Sequence, residues 1–254
     1  MTLKALIFDV DGTLADTERD GHRPAFNQAF SEAGLDWYWD ESLYGELLAV
    51  TGGKERIKYF VESFLPADRR PDNVEQLAAE LHRIKTCKYT ELMSQGALPL
   101  RPGVRRLLQE ARAVGLRLAI ATTTTPANVT ALLRHSLGEG TESWFEVIAA
   151  GDIVPAKKPA PDIYRWALDA LKLEPAECLA FEDSANGLRA SLGAGIATLV
   201  TVNEYTQNDH FDHALVVLSD LGEPATPCKV LRGDLRGRTM VDVALLKEIS
   251  SRTN

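Results

Sequence analysis

The chain has little cysteine, no long apolar run and a deficit of positive charge, and each shortage removes a class of protein. Its three cysteines, Cys87, Cys178 and Cys228, are widely spaced and odd in number. That fits neither a disulfide framework nor a zinc site with paired ligands, so reduced thiols are expected. No stretch approaches the roughly 18 apolar residues of a membrane-spanning helix, so no membrane partner is expected. From Met1 the chain enters the apolar run Ala5 to Phe8 and meets Asp9, so no signal peptide is expected. A cytoplasmic location is the expectation. With 28 Lys and Arg against 36 Asp and Glu, the net charge is -8. Generic nucleic-acid binding needs the opposite field, and there is no basic stripe with interleaved aromatics. Trp37, Tyr38 and Trp39 form a single aromatic cluster that reads as packing.

What remains is an ordinary globular composition, 45% apolar and 25% charged over 254 residues. That length suits one large α/β domain or a core carrying an insert. β-type runs at Ala5–Asp9, Arg117–Ala121, Glu146–Ala149, Cys178–Glu182 and Ala197–Val202 alternate with helical spacings, and Ala214–Leu218 reads as an edge strand. The alternation predicts α/β architecture: a Rossmann-like, doubly wound parallel sheet with helices on both faces. More than a hundred residues separate the first two strands, far beyond an ordinary connection. Helical spacing at Ala25, Phe26, Ala29, Phe30 and Ala33 predicts that this interval holds an α-helical cap over 16–97, leaving 1–15 and 98–254 as the catalytic core. Val104, Leu107, Leu108 and Ala111, after Arg101-Pro102-Gly103, mark the return to the core. A terminal helix is expected through Val241, Leu245 and Leu246.

Open α/β sheets place ligands at the carboxyl ends of their strands, and chemistry-bearing residues stand at four of these ends. After the first come Asp9 and Asp11, two carboxyls at i and i+2, with Gly12 allowing a sharp turn. One can attack phosphorus, which splits ester hydrolysis into formation and breakdown of an aspartyl-phosphate, while the other moves protons. Thr122 opens a Thr122–Thr125 series whose hydroxyls and N–H groups can hold phosphate oxygens. Lys158, before Pro159 and Pro161, offers a fixed positive charge. Glu182 and Asp183 form a hard-oxygen pair suited to Mg²⁺. Each has a plainer alternative: a turn or helix cap for the acidic pairs and threonines, a solvated surface pair for Lys157 and Lys158. Four plain readings must hold together for the chemical one to fail.

In this order, DVDGT, the strand-terminal threonine, KKPAPDIY and FEDSANG resemble the four motifs of the haloacid-dehalogenase-like hydrolase superfamily. The helical insert resembles the small cap of its β-phosphoglucomutase-like branch. The resemblance implies Asp9 as nucleophile, Asp11 as acid and base, and Thr122 and Lys158 as phosphate ligands. It also implies Mg²⁺ on Asp9, the Asp11 backbone carbonyl and Asp183, with Glu182 assisting or orienting through the metal shell. Because Asp11 is there to protonate an alkoxide, phosphate chemistry is expected rather than dehalogenation.

Substrate choice in such a branch belongs to cap residues that face the core. Candidates are Glu18, His22 and Arg23, the loop residues Gly53, Lys54 and Arg56, and Lys85, with Thr123 on the core side. Lys54 and Arg56 offer two cations for a second phosphate that is bound but not cleaved. AGLDWYW, TGGKERI, LRLAIATTTT and EVIAAGD further resemble the CbbY-type phosphatases of carbon-fixing bacteria, which implies hydrolysis of xylulose 1,5-bisphosphate and a link to the Calvin cycle. The expected partner is a small sugar phosphate or bisphosphate, with the chain a monomer. Two other readings stand beside this. A sugar phosphomutase would use the same set, but its histidine falls four positions after the DT pair, where Gly21 stands here with His22 one later, and Glu55 appears at the place of its cap arginine. A catalytically silent sugar-phosphate binder would be expected to have lost a catalytic carboxylate, and none is lost.

Overall fold

The computed structural model describes residues 2–94 and 98–251. In chain order, strand β1 (Ala5–Phe8) is followed by helices α1 (Arg23–Glu32), α2 (Glu41–Leu47), α3 (Gly53–Phe64), α4 (Val74–Ser94) and α5 (Val104–Ala113). Then come β2 (Arg117–Thr122), α6 (Pro126–Leu137), β3 (Val147–Ala150), α7 (Asp162–Leu171), β4 (Cys178–Glu182) and α8 (Ala185–Gly193). The chain closes with β5 (Ala197–Thr201), β6 (Val216–Leu218), β7 (Val230–Arg232) and α9 (Val243–Ser250). The strands form one sheet in the order β3-β2-β1-β4-β5-β6-β7, parallel except for β7. This is the α/β, Rossmann-like fold expected.

Successive side chains of a strand point to opposite faces, and here both faces are buried. Leu6 and Phe8, Leu118 and Ile120, and Leu179 and Phe181 enter one core with α5, α6 and α9. Their alternates, Ala5 and Ile7, Ala119 and Ala121, and Cys178 and Ala180, enter the other with α7. The Phe8 and Phe181 rings stack across neighbouring strands at 4.4 Å. The order reverses at β1, so the crevice beyond its carboxyl end is where such sheets bind ligands.

Residues 23–94 are helical apart from their connections and carry a core of their own, with Phe26, Phe30, Trp39, Tyr44, Leu47, Ile57, Phe60, Val61, Ala78 and Leu81 buried together. Trp39 lies at its centre, its ring 4.7 Å from Phe26, 4.8 Å from Phe30 and 5.5 Å from Phe60. The Asn27 amide holds the backbone there: it accepts from Trp39 N at 2.8 Å and donates to Trp39 O at 2.9 Å. Tyr38 is exposed. At the far end of α4, Tyr89 and Met93 pack into the main core, so this helix ties the two parts together.

Several elements differ from the sequence reading. The strand expected from Glu146 begins at Val147, and only Val216–Leu218 forms in the Ala214–Leu218 run. That strand is not at the edge, because β7 pairs antiparallel outside it. The three residues of β7 are too few to show alternation, and all are exposed. Ala33 lies past the end of α1 and is exposed, and Val241 is buried just ahead of α9. The expected cap boundary at 97 lies outside the described residues. Among the described residues no helix is long and apolar enough to cross a membrane.

Trp39→Ala should lower stability by about 3–5 kcal/mol, the cost of removing a large buried aromatic. Urea unfolding followed by circular dichroism will measure it.

Candidate active site

β1, β2 and β4 deliver their terminal residues to one place. Asp9 N donates to Phe181 O at 3.0 Å, which continues the β1–β4 pairing one step and carries Asp9 level with Glu182. Gly12 then turns the chain with φ +83°, and a Cβ there would lie 2.2 Å from Asp183 Oδ2. Only glycine lets β1's loop pass so close to the acidic end of β4. Buried Arg101 pins that loop from behind, donating to the carbonyls of Gly12, Thr201 (3.0 Å), Val202 (2.5 Å) and Ser219 (2.7 Å).

Lys158 stands between two carboxyls, its Nζ 2.6 Å from Asp9 Oδ1 and 2.6 Å from Glu182 Oε1. Burial alone would lower its proton affinity, but Asp9 and Glu182 outweigh that and keep it a firm cation. Tyr164 also donates to Glu182 Oε1, at 2.5 Å, and Asp183 N donates to Glu182 Oε2 at 3.3 Å. Both Glu182 oxygens are therefore engaged, and its evident task is to hold Lys158. Gly187 makes room for it, since a Cβ at that position would fall 1.9 Å from Glu182 Oε2.

Asp9, Glu182 and Asp183 each present an oxygen within 4.8 Å of the others, all buried. Burial raises Asp9 despite Lys158, with Glu182 and Asp11 adding to the rise. Burial also raises Asp183 well above the carboxylate range, reinforced by Asp9 and Glu182. Carboxyls crowded this way call for a cation, and an all-oxygen donor set suits Mg²⁺. Asp9 Oδ2, whose nearest partner is Thr13 at 3.4 Å, and Asp183, held by Asn203 at 2.7 Å, are the freer members.

The Asp11 side chain turns away from this cluster. Its Oδ1 accepts from Thr17 Oγ1 at 2.6 Å and meets His22 Nε2 at 2.8 Å, and Lys85 Nζ lies 2.8 Å from His22 Nδ1. Burial pushes Asp11 up, but His22, Thr17 and Lys85 together hold it below the usual carboxylate range. Thr17 is followed by a π-helical turn, Glu18–His22. Such a turn accommodates one residue more than an α-helical turn. The one-position offset of His22 in sequence therefore does not separate it from Asp11 in space.

Above these groups lies a cavity of about 330 Å³, lined by Asp9, Asp11, Thr122, Thr123, Lys158, Glu182 and Asp183 on the sheet side and by Glu18, Thr51 and Arg56 on the helical side. Tyr44 donates to Glu18 and accepts from Arg56 at 2.9 Å. Thr125 caps α6 through its hydroxyl, so the cap reading of the threonine series holds for that member while Thr122 and Thr123 face the cavity. Other candidates lie elsewhere. Lys54 is bound to Asp152 at 2.6 Å, and Arg23 pairs with Glu41 at 3.3 Å. Gly53 starts α3 against the His82 ring, while His22 and Lys85 back Asp11 rather than line the cavity. Asn186, Arg189, Asn203, Tyr205, Thr206 and Asp209 also line it and were not singled out from sequence. Asn186 and Arg189 sit one turn apart on the helix that follows Asp183, a spacing that could have pointed to them. The 203–209 loop carries no signal beyond its place after a strand end.

The family model for haloacid dehalogenase-like hydrolases matches residues 3–195. The protein CbbY, plasmid, of Cupriavidus necator is 52% identical over 225 residues, which cover 89% of this chain and 88% of that protein. The crystal structure of CbbY from Rhodobacter sphaeroides in complex with phosphate superposes with a TM-score of 0.80 at 47% identity, covering 86% of this chain and 94% of that one. A mutant of the same protein in complex with xylulose-(1,5)bisphosphate superposes equally well, at 46% identity over 88% of this chain and 98% of that one. With DVDGT, Lys158 and the Glu182–Asp183 pair converged on one crevice, the chain belongs to the haloacid dehalogenase-like hydrolases and is one of their phosphatases.

Proposed function

We propose that the chain is a Mg²⁺-dependent sugar-phosphate phosphatase whose preferred substrate is xylulose 1,5-bisphosphate, cleaved through an aspartyl-phosphate on Asp9. The observation that carries this reading is the cavity itself: reactive carboxyls and Lys158 on one wall, the Arg56 cation on the other, and room for a small phosphorylated sugar between them. The likeness to a CbbY solved with that bisphosphate supports the choice of sugar.

Asp9 attacks phosphorus, forming an O–P bond as the ester P–O bond breaks, and Asp11 gives its proton to the departing sugar oxygen. A phosphate arriving beside Asp11 raises its proton affinity, as like charges do, and so readies it for the acid step. In the second half Asp11 takes a proton from water as that water attacks the aspartyl-phosphate, releasing phosphate and restoring Asp9. Lys158 and Thr122 hold the phosphoryl oxygens, and Glu182 keeps Lys158 in line. Asp9 and Asp183, with the Asp11 carbonyl, are the residues that would hold Mg²⁺. When bound, the ion supplies positive charge that lets a phosphate approach this acidic crevice. The helical segment between β1 and α5 acts as the cap, excluding water once substrate is in place. A phosphomutase is the second reading, favoured by one observation: His22 reaches Asp11 despite its offset in sequence.

Phosphate release should be measured with Mg²⁺ and with chelator on xylulose 1,5-bisphosphate, ribulose 1,5-bisphosphate, fructose 1,6-bisphosphate and β-glucose 1-phosphate, beside a coupled assay for glucose 6-phosphate. The xylulose compound should lead, and chelation should stop turnover. Glucose 6-phosphate formed without free phosphate would make the chain a mutase. Asp9→Asn should cost on the order of 10³-fold or more in kcat, and Asp11→Asn about 10²–10⁴-fold. Near-normal turnover in either variant would refute the assigned role. Gly187→Ala should cut kcat at least about tenfold while the protein stays folded, because the new methyl displaces Glu182 from Lys158. Steady-state rates read beside circular dichroism will show whether it does.

A further inference from the structure

The expectation of two cap cations for a second phosphate does not survive intact, because Lys54 is bound to Asp152 outside the cavity. Among the described residues three cationic side chains line the cavity: Arg56, Lys158 and Arg189. Lys158 is neutralised by Asp9 and Glu182. Arg56 is buried, reaches Tyr44 and lies 3.7 Å from Glu18, yet its Nε has no hydrogen-bond partner. A buried donor left unpaired is costly, and an anion in the adjoining cavity would relieve it. Arg189 donates only to the neutral Asn186 amide oxygen and has no carboxyl partner among the described residues.

We infer that Arg189 is a specificity-determining residue that joins Arg56 in binding the substrate's second, uncleaved phosphate. The inference rests on the bisphosphate reading of this site. Arg189 sits on α8, whose N-cap Ser184 directly follows Asp183, so it stands about 7.5 Å along the helix axis from the acidic end of the site, given ~1.5 Å rise per residue. A short sugar carrying a phosphate at each end spans such a gap. Asn186, which accepts from Arg189, also donates to Ala49 O and Thr51 Oγ1, each at 3.2 Å, on the helical side. Arg189 is thereby held at the seam between the sheet and the helical segment, and Arg56 comes from across it. A phosphate gripped by both guanidinium forks bridges the two parts, so the distal end of the substrate itself favours closure over the reacting end.

The test compares kcat/KM for xylulose 1,5-bisphosphate with that for the monophosphate bearing only the phosphate that is cleaved, in wild type, Arg189→Gln and Arg189→Lys. Arg189→Gln should lower the bisphosphate value by about tenfold to hundredfold, chiefly through KM, and collapse the bisphosphate-to-monophosphate ratio. Arg189→Lys, which keeps the charge but not the fork, should recover part of that ratio. An equal loss on both substrates, or an unchanged ratio in Arg189→Gln, would overturn the inference and leave the phosphatase reading standing. A wild-type enzyme with no preference for the bisphosphate would overturn the bisphosphate reading itself.

Discussion

Burying three carboxyls around one ammonium is the constraint on which the catalytic end of this molecule depends. Asp9, Glu182 and Asp183 meet at the ends of two adjacent parallel strands, and Lys158 compensates only part of their charge. Neighbouring features serve that arrangement. Tyr164 and the Asp183 N–H satisfy Glu182, Asn203 satisfies Asp183, and Arg101 takes up the carbonyls that the turning loops leave behind. The charge left over suits a cation and, through it, a phosphate.

The helical segment is built on different physics. It has no strand ends to concentrate charge, and its integrity comes from an aromatic core around Trp39 and from the long helix α4 that continues into the main core. It meets the cavity at the seam. Glu18, Thr51 and Arg56 reach the cavity from it, and His22 and Lys85 fix Asp11 from behind. Further polar contacts cross the same seam, among them Arg19–Glu204, Lys54–Asp152 and Lys157–Glu55. Arg19–Glu204, the most exposed of these pairs, contributes little by itself because water screens it.

The strand ends and their acidic and hydroxyl residues were legible in the sequence because short continuous apolar runs are local signals, and a polar residue placed just after one lands at a predictable edge of the sheet. Asp9, Asp11, Thr122, Glu182 and Asp183 were found that way, and Lys158 by the prolines that follow it. The α/β class and the presence of a long helical interval followed from the same local patterns, which buried sheets with helices on both faces impose on any sequence that forms them.

Tertiary structure alone decided which long, flexible cations face the cavity. Lys54 and Arg56 are two positions apart in sequence, yet one reaches Asp152 and the other lines the site. Helix phase and the approach of the sheet loops separate them. Arg189 was illegible for the converse reason, since an arginine on a helix reads as a solvated face, and only its place on the cavity rim and its bond to Asn186 show that it borders the site. The π-helical turn at Glu18–His22 belongs to the same class, because only packing against Asp11 and Lys85 shows that the extra residue leaves His22 in contact. Sequence by itself determined the fold class and the reacting groups, which local periodicity places. Where the cap's charges point was settled by contacts between segments far apart in the chain, which no local pattern encodes.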